Sequence, residues 1–288
     1  MNIQDEQRID DDNDGDYLSA LFTCETYTEK TFDFGDIKQQ LLCSRQTSTD
    51  FDLTGQIVWP ASIILCWYLA HHRDLLRDKV VLELGAGCGL AGFFAANFNI
   101  QHSTITDGNE VVLRLLEQNK QFLLNKEFEC GIEVRKLLWG IKEEIRAIYR
   151  NENTTNIPTP NIIIGADIIL WPLSVLPLVH TLRWLLSFHA ETSMAIISYV
   201  VRANSTTELL LETASAHGLA IETIRTHDQF LPNPIPENLA GLEKIVFCVK
   251  IAQPMGVSFE TEPEEYTVSD GSTAPNMVSA YSTRTAAC

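Results

Sequence analysis

The stretch "VVLELGAGCGLAGFF", Val80–Phe94, decides the fold. An apolar run holding one carboxylate, Glu83, is followed by four glycines within eight residues (Gly85, Gly87, Gly89 and Gly92). An apolar segment then begins that fits a helix over Leu90–Phe98. A strand without polar alternation is buried on both faces. Glycines directly after it allow a tight turn and a close approach of backbone to a ligand. Strand, turn and helix together point to a nucleotide-like ligand seated on the turn.

The rest of the chain repeats the alternation. "STITD" (Ser103–Asp107) leads into "EVVLRLLEQNKQFLLN", where Val112, Leu115, Leu116, Phe122 and Leu123 keep one helical face apolar. "IEVRKLLW" and "NIIIGAD" are further strands, each followed by a helical pattern, with Ser174 placed to cap the helix after the second. "MAIISYVV" is another strand. Ser205 and Glu208 form a capping-box pattern for the next helix, which Gly218 can stop. "AIETIRT" and "KIVFCVKI" complete about seven strands. Upstream, "TFDFGDIKQQLLCSR" fits a short β-hairpin with Gly35 at its turn, and "PASIILCWYLAHH" a helix opened by Pro60. The expected fold is α/β and Rossmann-like: a doubly wound, mostly parallel seven-stranded sheet with helices on both faces. Its ligand should lie at the carboxyl ends of the strands, where the order reverses. Glu83, Asp107, Trp139 and Asp167 all fall at such ends.

Length and charge bound the remainder. The 288 residues suffice for one large domain. Of the formal charge of −17, most sits at the ends: Met1–Asp16 holds seven acids and one Arg, Gln253–Cys288 five acids and one Arg. Residues 1–18 and 253–288 are expected to be acidic disordered tails around a domain over 19–252. No basic patch speaks for nucleic acid. The apolar run Ile162–Val179 contains Asp167, Pro172 and Pro177, which favours a strand and a helix over a membrane span. Seven scattered cysteines without a Cys-x-x-Cys pair, and histidines without metal spacing, argue for reduced thiols and no metal. A cytoplasmic monomer is the expectation.

Two registers of the glycines suit two ligands. Gly87-Cys-Gly89-Leu-Ala-Gly92, with Asp107 about 20 residues on, matches a dinucleotide fingerprint. Gly85-Ala-Gly87-Cys-Gly89 behind Glu83 matches the turn used for S-adenosylmethionine. A pyrophosphate wants the amides of a helix N-terminus, whereas S-adenosylmethionine has no phosphate and the ammonium of its amino-acid end suits a carboxylate such as Glu83. No tyrosine is followed four residues later by lysine, as a short-chain dehydrogenase would require. Chemistry therefore favours the sulfonium ligand.

"GQIVWPAS" (Gly55–Ser62), the glycine stretch, "TITD" (Thr104–Asp107), "LLWG" (Leu137–Gly140) and "IIIGADIIL" (Ile162–Leu170) occur in this order over roughly Thr31–Ile251. So arranged, the chain resembles the seven-β-strand (class I) S-adenosylmethionine-dependent protein-lysine methyltransferases, the methyltransferase-like group that includes nicotinamide methyltransferase-like proteins. The resemblance implies that Trp59 lies against the cofactor, that Gly85, Ala86 and Gly87 wrap its methionine portion with Glu83 in support, and that Asp107 holds the ribose. It implies Trp139 beside the adenine, a backbone contact from Ala166, and Asp167 facing an incoming lysine of a protein substrate. The chain departs from the pattern at Leu170, where an aromatic residue is implied; Trp171 comes one position later. The alternatives are a small-molecule methyltransferase and a cofactor-binding partner module with impaired catalysis.

Overall fold

The computed structural model describes residues 27–44, 54–123, 130–149, 157–225 and 229–252. The two expected tails, 1–18 and 253–288, lie outside the described residues. A hairpin comes first, β1 (Tyr27–Asp33) and β2 (Lys38–Ser44), paired antiparallel from Tyr27↔Ser44 to Asp33↔Lys38. Its turn forms where Gly35 adopts φ +87° and donates its N–H to Asp33 Oδ1 at 2.9 Å. Helix α1 (Pro60–His71) follows.

The alternation then runs β3 (Val80–Leu84), α2 (Leu90–Ala95), β4 (His102–Asp107), α3 (Glu110–Leu123), β5 (Gly131–Lys136), α4 (Lys142–Tyr149), β6 (Ile162–Ala166), α5 (Pro172–Ser187), β7 (Met194–Val200), α6 (Asn204–Ala216), β8 (Leu219–Arg225) and β9 (Lys244–Ile251). The seven strands lie in the order β5-β4-β3-β6-β7-β9-β8. All neighbours from β5 to β7 are parallel, and β9 runs antiparallel between β7 and β8. From β3 the chain moves outward to β4 and β5, then returns to place β6 on the other side of β3. The crevice between β3 and β6 is therefore the switch point where such sheets bind ligands.

Both sheet faces are covered. Val81, Ile105, Ile162 and Ile164 pack with Ile64 and Leu65 of α1, Phe93 and Phe94 of α2 and Leu115 of α3. Leu82, Leu84, Ile163 and Ile197 pack with Ile145 of α4, Leu178 and Leu185 of α5 and Leu210 of α6. Alternate residues of β3 feed opposite cores, which is why its sequence carries no polar alternation.

Three local expectations are corrected. Helix α2 stops at Ala95, short of Phe98, and Asn97 folds back to donate to the Phe93 and Phe94 carbonyls. Ser205 and Glu208 do not cap α6: the helix starts at Asn204, with Ala203 at the N-cap and no side-chain cap bond. Ser174 sits inside the first turn of α5, donating its hydroxyl to the Trp171 carbonyl at 2.8 Å. Among the described residues, no helix is long and apolar enough to cross a membrane.

Candidate active site

The glycine turn leaves β3 with left-handed backbone at Gly85 (φ +58°) and Gly87 (φ +53°), a conformation that disfavours side chains. Space is equally restrictive. A Cβ on Gly87 would lie 3.0 Å from the Gly55 carbonyl oxygen, and one on Gly85 would meet Ile168 at 2.9 Å and the Trp139 ring at 3.0 Å. The turn is thus walled by the segment before α1 on one side and by the loops after β5 and β6 on the other. Ala86 N–H donates to the Thr106 carbonyl (2.9 Å), and the Thr106 hydroxyl to the Glu83 carbonyl (2.6 Å), which ties the turn to β4.

Two carboxylates flank it. Glu83 is 2% exposed, and its Oε2 accepts the Gly92 N–H at 2.9 Å, so it caps α2 from beneath. Burial pushes its pKa up to about 8, against the lowering pull of the α2 amides. Asp107 closes β4. Its Oδ2 accepts from Gly87 N–H (3.1 Å) and its Oδ1 from Asn109 N–H (3.0 Å), while burial raises its pKa. Among the described residues, neither carboxylate is paired with a Lys or Arg side chain.

The aromatic walls are positioned by backbone constraints nearby. Pro177, inside α5, has no N–H, and the Thr181 hydroxyl donates to its carbonyl at 2.9 Å while accepting the Gly140 N–H at 2.8 Å. Gly140, at φ +81°, lies so close to Pro177 that a Cβ would approach it to 3.1 Å. The preceding residue, Trp139, is thereby held against Gly85. Trp59 precedes Pro60 of α1 and donates its indole N–H to the Thr54 carbonyl at 2.8 Å.

At the end of β6, Ala166 pairs with Ser198 of β7, and Asp167 N–H donates to the Ser198 carbonyl at 2.9 Å. Asp167 has φ +58°, an uncommon state for a residue with a side chain. Its side chain is 3% exposed, and both carboxylate oxygens accept from the Arg202 fork, at 2.6 Å each. The guanidinium lies 5.4 Å from the centre of the Trp59 ring, within cation–π range. Arg202 therefore joins Trp59 and Asp167, although the sequence reading assigned it no role. Thirty-five residues separate it from Asp167, and an arginine after a strand carries no spacing signal. Gly55 was likewise quoted inside "GQIVWPAS" without a role. Trp171 is 47% exposed at the N-cap of α5.

The residues present fit a cationic, hydroxyl-bearing ligand. Asp107, paired with no cation among the described residues, suits ribose hydroxyls and would repel a pyrophosphate, and Glu83, protonated beneath the turn, can ionise beside a bound ammonium or sulfonium. The indoles of Trp59 and Trp139 offer faces for a ring or a cation. Among the described residues, no cluster of His, Cys, Asp and Glu is arranged to hold a metal.

Comparison with known proteins agrees with this geometry. The chain is 30% identical over 163 residues to the histone-arginine methyltransferase METTL23 of Xenopus laevis, covering 54% of this chain and 62% of that protein. It is 35% identical over 113 residues to the protein N-lysine methyltransferase METTL21A of Xenopus tropicalis, covering 39% and 46%. To the protein-lysine N-methyltransferase EFM3 of Chaetomium thermophilum it is 29% identical over 185 residues, covering 63% and 53%. The matches thus span roughly half to three-fifths of the length of these relatives. The profile of the family described as lysine methyltransferase matches residues 38–215, from the hairpin through β7 into α6 and across the whole site. With more than half of its length under that profile, the chain belongs to the lysine methyltransferase family.

Proposed function

We propose that this chain transfers a methyl group from S-adenosylmethionine to the ε-amine of a lysine in a protein substrate. The observation that carries the proposal is the pair of carboxyl groups, buried Glu83 and part-buried Asp107, which flank the glycine turn at the switch point and, among the described residues, pair with no Lys or Arg side chain. In this reading Gly85, Ala86 and Gly87 wrap the methionine portion, Asp107 takes the ribose hydroxyls, Trp139 lies beside the adenine and Ala166 lends its backbone. Trp59 lies against the cofactor, Glu83 supports its methionine end, and Asp167, with Arg202 on its carboxylate and beside the Trp59 ring, faces the acceptor.

When bound, the cofactor supplies a methyl carbon on a positively charged sulfur. The chain then has two tasks. It must hold the acceptor nitrogen in line with the sulfur–carbon bond, an orientation effect worth roughly 7–11 kcal/mol. It must also admit that nitrogen without its proton, because a lysine in water has a pKa near ~10.4. No covalent intermediate on the protein is required.

The test is incubation with methyl-labelled cofactor and a cell extract. Label in a protein band that yields methyl-lysine on hydrolysis supports the proposal, and label confined to the small-molecule filtrate would replace the substrate class. A second reading, a cofactor-binding partner module, is favoured by Leu170 and the exposed Trp171. It predicts cofactor binding with no label in either fraction.

A further inference from the structure

Asp167 is where a substrate ammonium would be expected to dock, yet its carboxylate is already taken. Both oxygens sit in the Arg202 fork at 2.6 Å. Removing one partner of a buried pair leaves an uncompensated charge, so an entering ammonium does not displace Arg202 cheaply. The pair is also asymmetric: the Asp167 side chain is 3% exposed and the Arg202 side chain 37%. Outward, toward the Trp59 face, the site presents the cation and hides the anion.

The charged and titratable groups facing Arg202, among the described residues, are Asp167 from the β6 end and Tyr199 from β7. Its Nη1 also donates to the Val200 carbonyl at 3.4 Å. Across the turn, Glu83 and Asp107 hold backbone N–H groups on the side of α2 and β4. Ile168, the residue after Asp167, is the side chain against Gly85. The cation therefore stands beside the turn and apart from those carboxylates.

We propose that Arg202 determines the acceptor specificity of this site: its guanidinium, fixed between Asp167 and Trp59, turns the positive end of a neutral ion pair toward the acceptor and selects a nitrogen that arrives without its proton. The inference rests on the proposed methyl transfer and names the residue that sets its acceptor. A like charge nearby favours the neutral form of an amine. A lysine ammonium can release its proton to water there. The freed lone pair then forms the nitrogen–carbon bond, while the electron pair of the broken sulfur–carbon bond stays on sulfur. An arginine side chain cannot enter in this way, because it keeps its charge at every accessible pH. Arg202 thus selects lysine over arginine.

The experiment uses the full chain, labelled cofactor and the extract protein that takes up label, between pH 6 and 10. Wild type is expected to place label on lysine and none on arginine. Arg202→Met is expected to move the rising limb of the pH–rate profile upward by about one unit, roughly tenfold slower at neutral pH and recovering near the top of the range. Arg202→Lys, which keeps the charge, is expected to retain the wild-type limb. If Arg202→Met fails to fold because Asp167 is left unpaired, the double variant Asp167→Asn/Arg202→Met removes both charges and is expected to move the limb upward by less, since no carboxylate is left to hold an ammonium.

An unmoved limb or a loss uniform across pH, with label still on lysine, would overturn the inference while leaving the proposed function intact, and label on arginine would overturn both. No label from wild type on any protein, despite bound cofactor, would overturn the proposed function and the inference with it.

Discussion

Glu83 couples the stability of this fold to pH. In the folded chain it holds its proton up to about pH 8, whereas an ordinary glutamate loses it near 4.5. Between those values the folded state binds more protons than the unfolded one. The contribution of Glu83 is therefore fully present below about pH 4.5 and is lost as pH rises through 8. Glu83→Gln keeps an acceptor for the Gly92 N–H but removes the titration. Urea unfolding at several pH values is expected to show the wild-type advantage over this variant falling by a few kcal/mol between pH 5 and 9. Parallel stability curves for the two proteins would exclude Glu83 as the source. A bound cation beside Glu83 favours its ionised form, so the same burial that costs stability at high pH leaves a carboxylate whose charge the ligand can satisfy.

At the scale of elements, the hairpin and the glycine turn are joined by one buried amide. Asn119 of α3 accepts the Leu42 N–H at 2.6 Å and donates to the carbonyls of Leu42 (3.0 Å) and Cys88 (3.1 Å). Asn119→Leu fills a similar volume but leaves three backbone groups without that partner. It is expected to cost about 2–3 kcal/mol and to weaken cofactor binding through the Cys88 end of the turn. Chemical denaturation and calorimetry check both effects, and a neutral substitution would show that β1 and β2 are only appended. Asn119 lies in a helix whose apolar face was evident, but its three partners come from β2 and the glycine turn, so no local pattern announces it. Strands β3, β6 and β7 were legible because burial on both faces leaves them almost wholly apolar, whereas β4 carries buried Ser103, Thr104 and Thr106 and was legible from its place before an amphipathic helix. The glycine turn was legible because φ near +55° and the Gly55 and Trp139 walls permit no side chain at Gly87 or Gly85. The failed capping box at Ser205 shows the converse: a local preference gave way to a helix whose N-cap lies two residues earlier, at Ala203. Arg202 depends wholly on β7 lying beside β6, a tertiary fact.

Across the whole molecule, the switch between β3 and β6 brings together loops that follow five different parts of the chain: the segment before α1 and the ends of β3, β4, β5 and β6. A ligand bridging these loops binds the folded state alone, because the unfolded chain cannot assemble them. S-adenosylmethionine at one hundred times its dissociation constant should then stabilise the fold by about 2.7 kcal/mol. For a domain of this size, that is a rise in melting temperature of roughly 5–10 °C. A nicotinamide dinucleotide should give no rise, because its pyrophosphate would meet the Asp107 carboxylate at the turn, where no Lys or Arg side chain among the described residues offsets it. Asp107→Ala should lose the rise at the same concentration of S-adenosylmethionine, since the ribose hydroxyls lose their acceptor at the end of β4. Scanning calorimetry with each ligand separates these outcomes. A rise with the dinucleotide and none with the sulfonium compound would reverse the ligand assignment, and an undiminished rise in Asp107→Ala would remove Asp107 from the site.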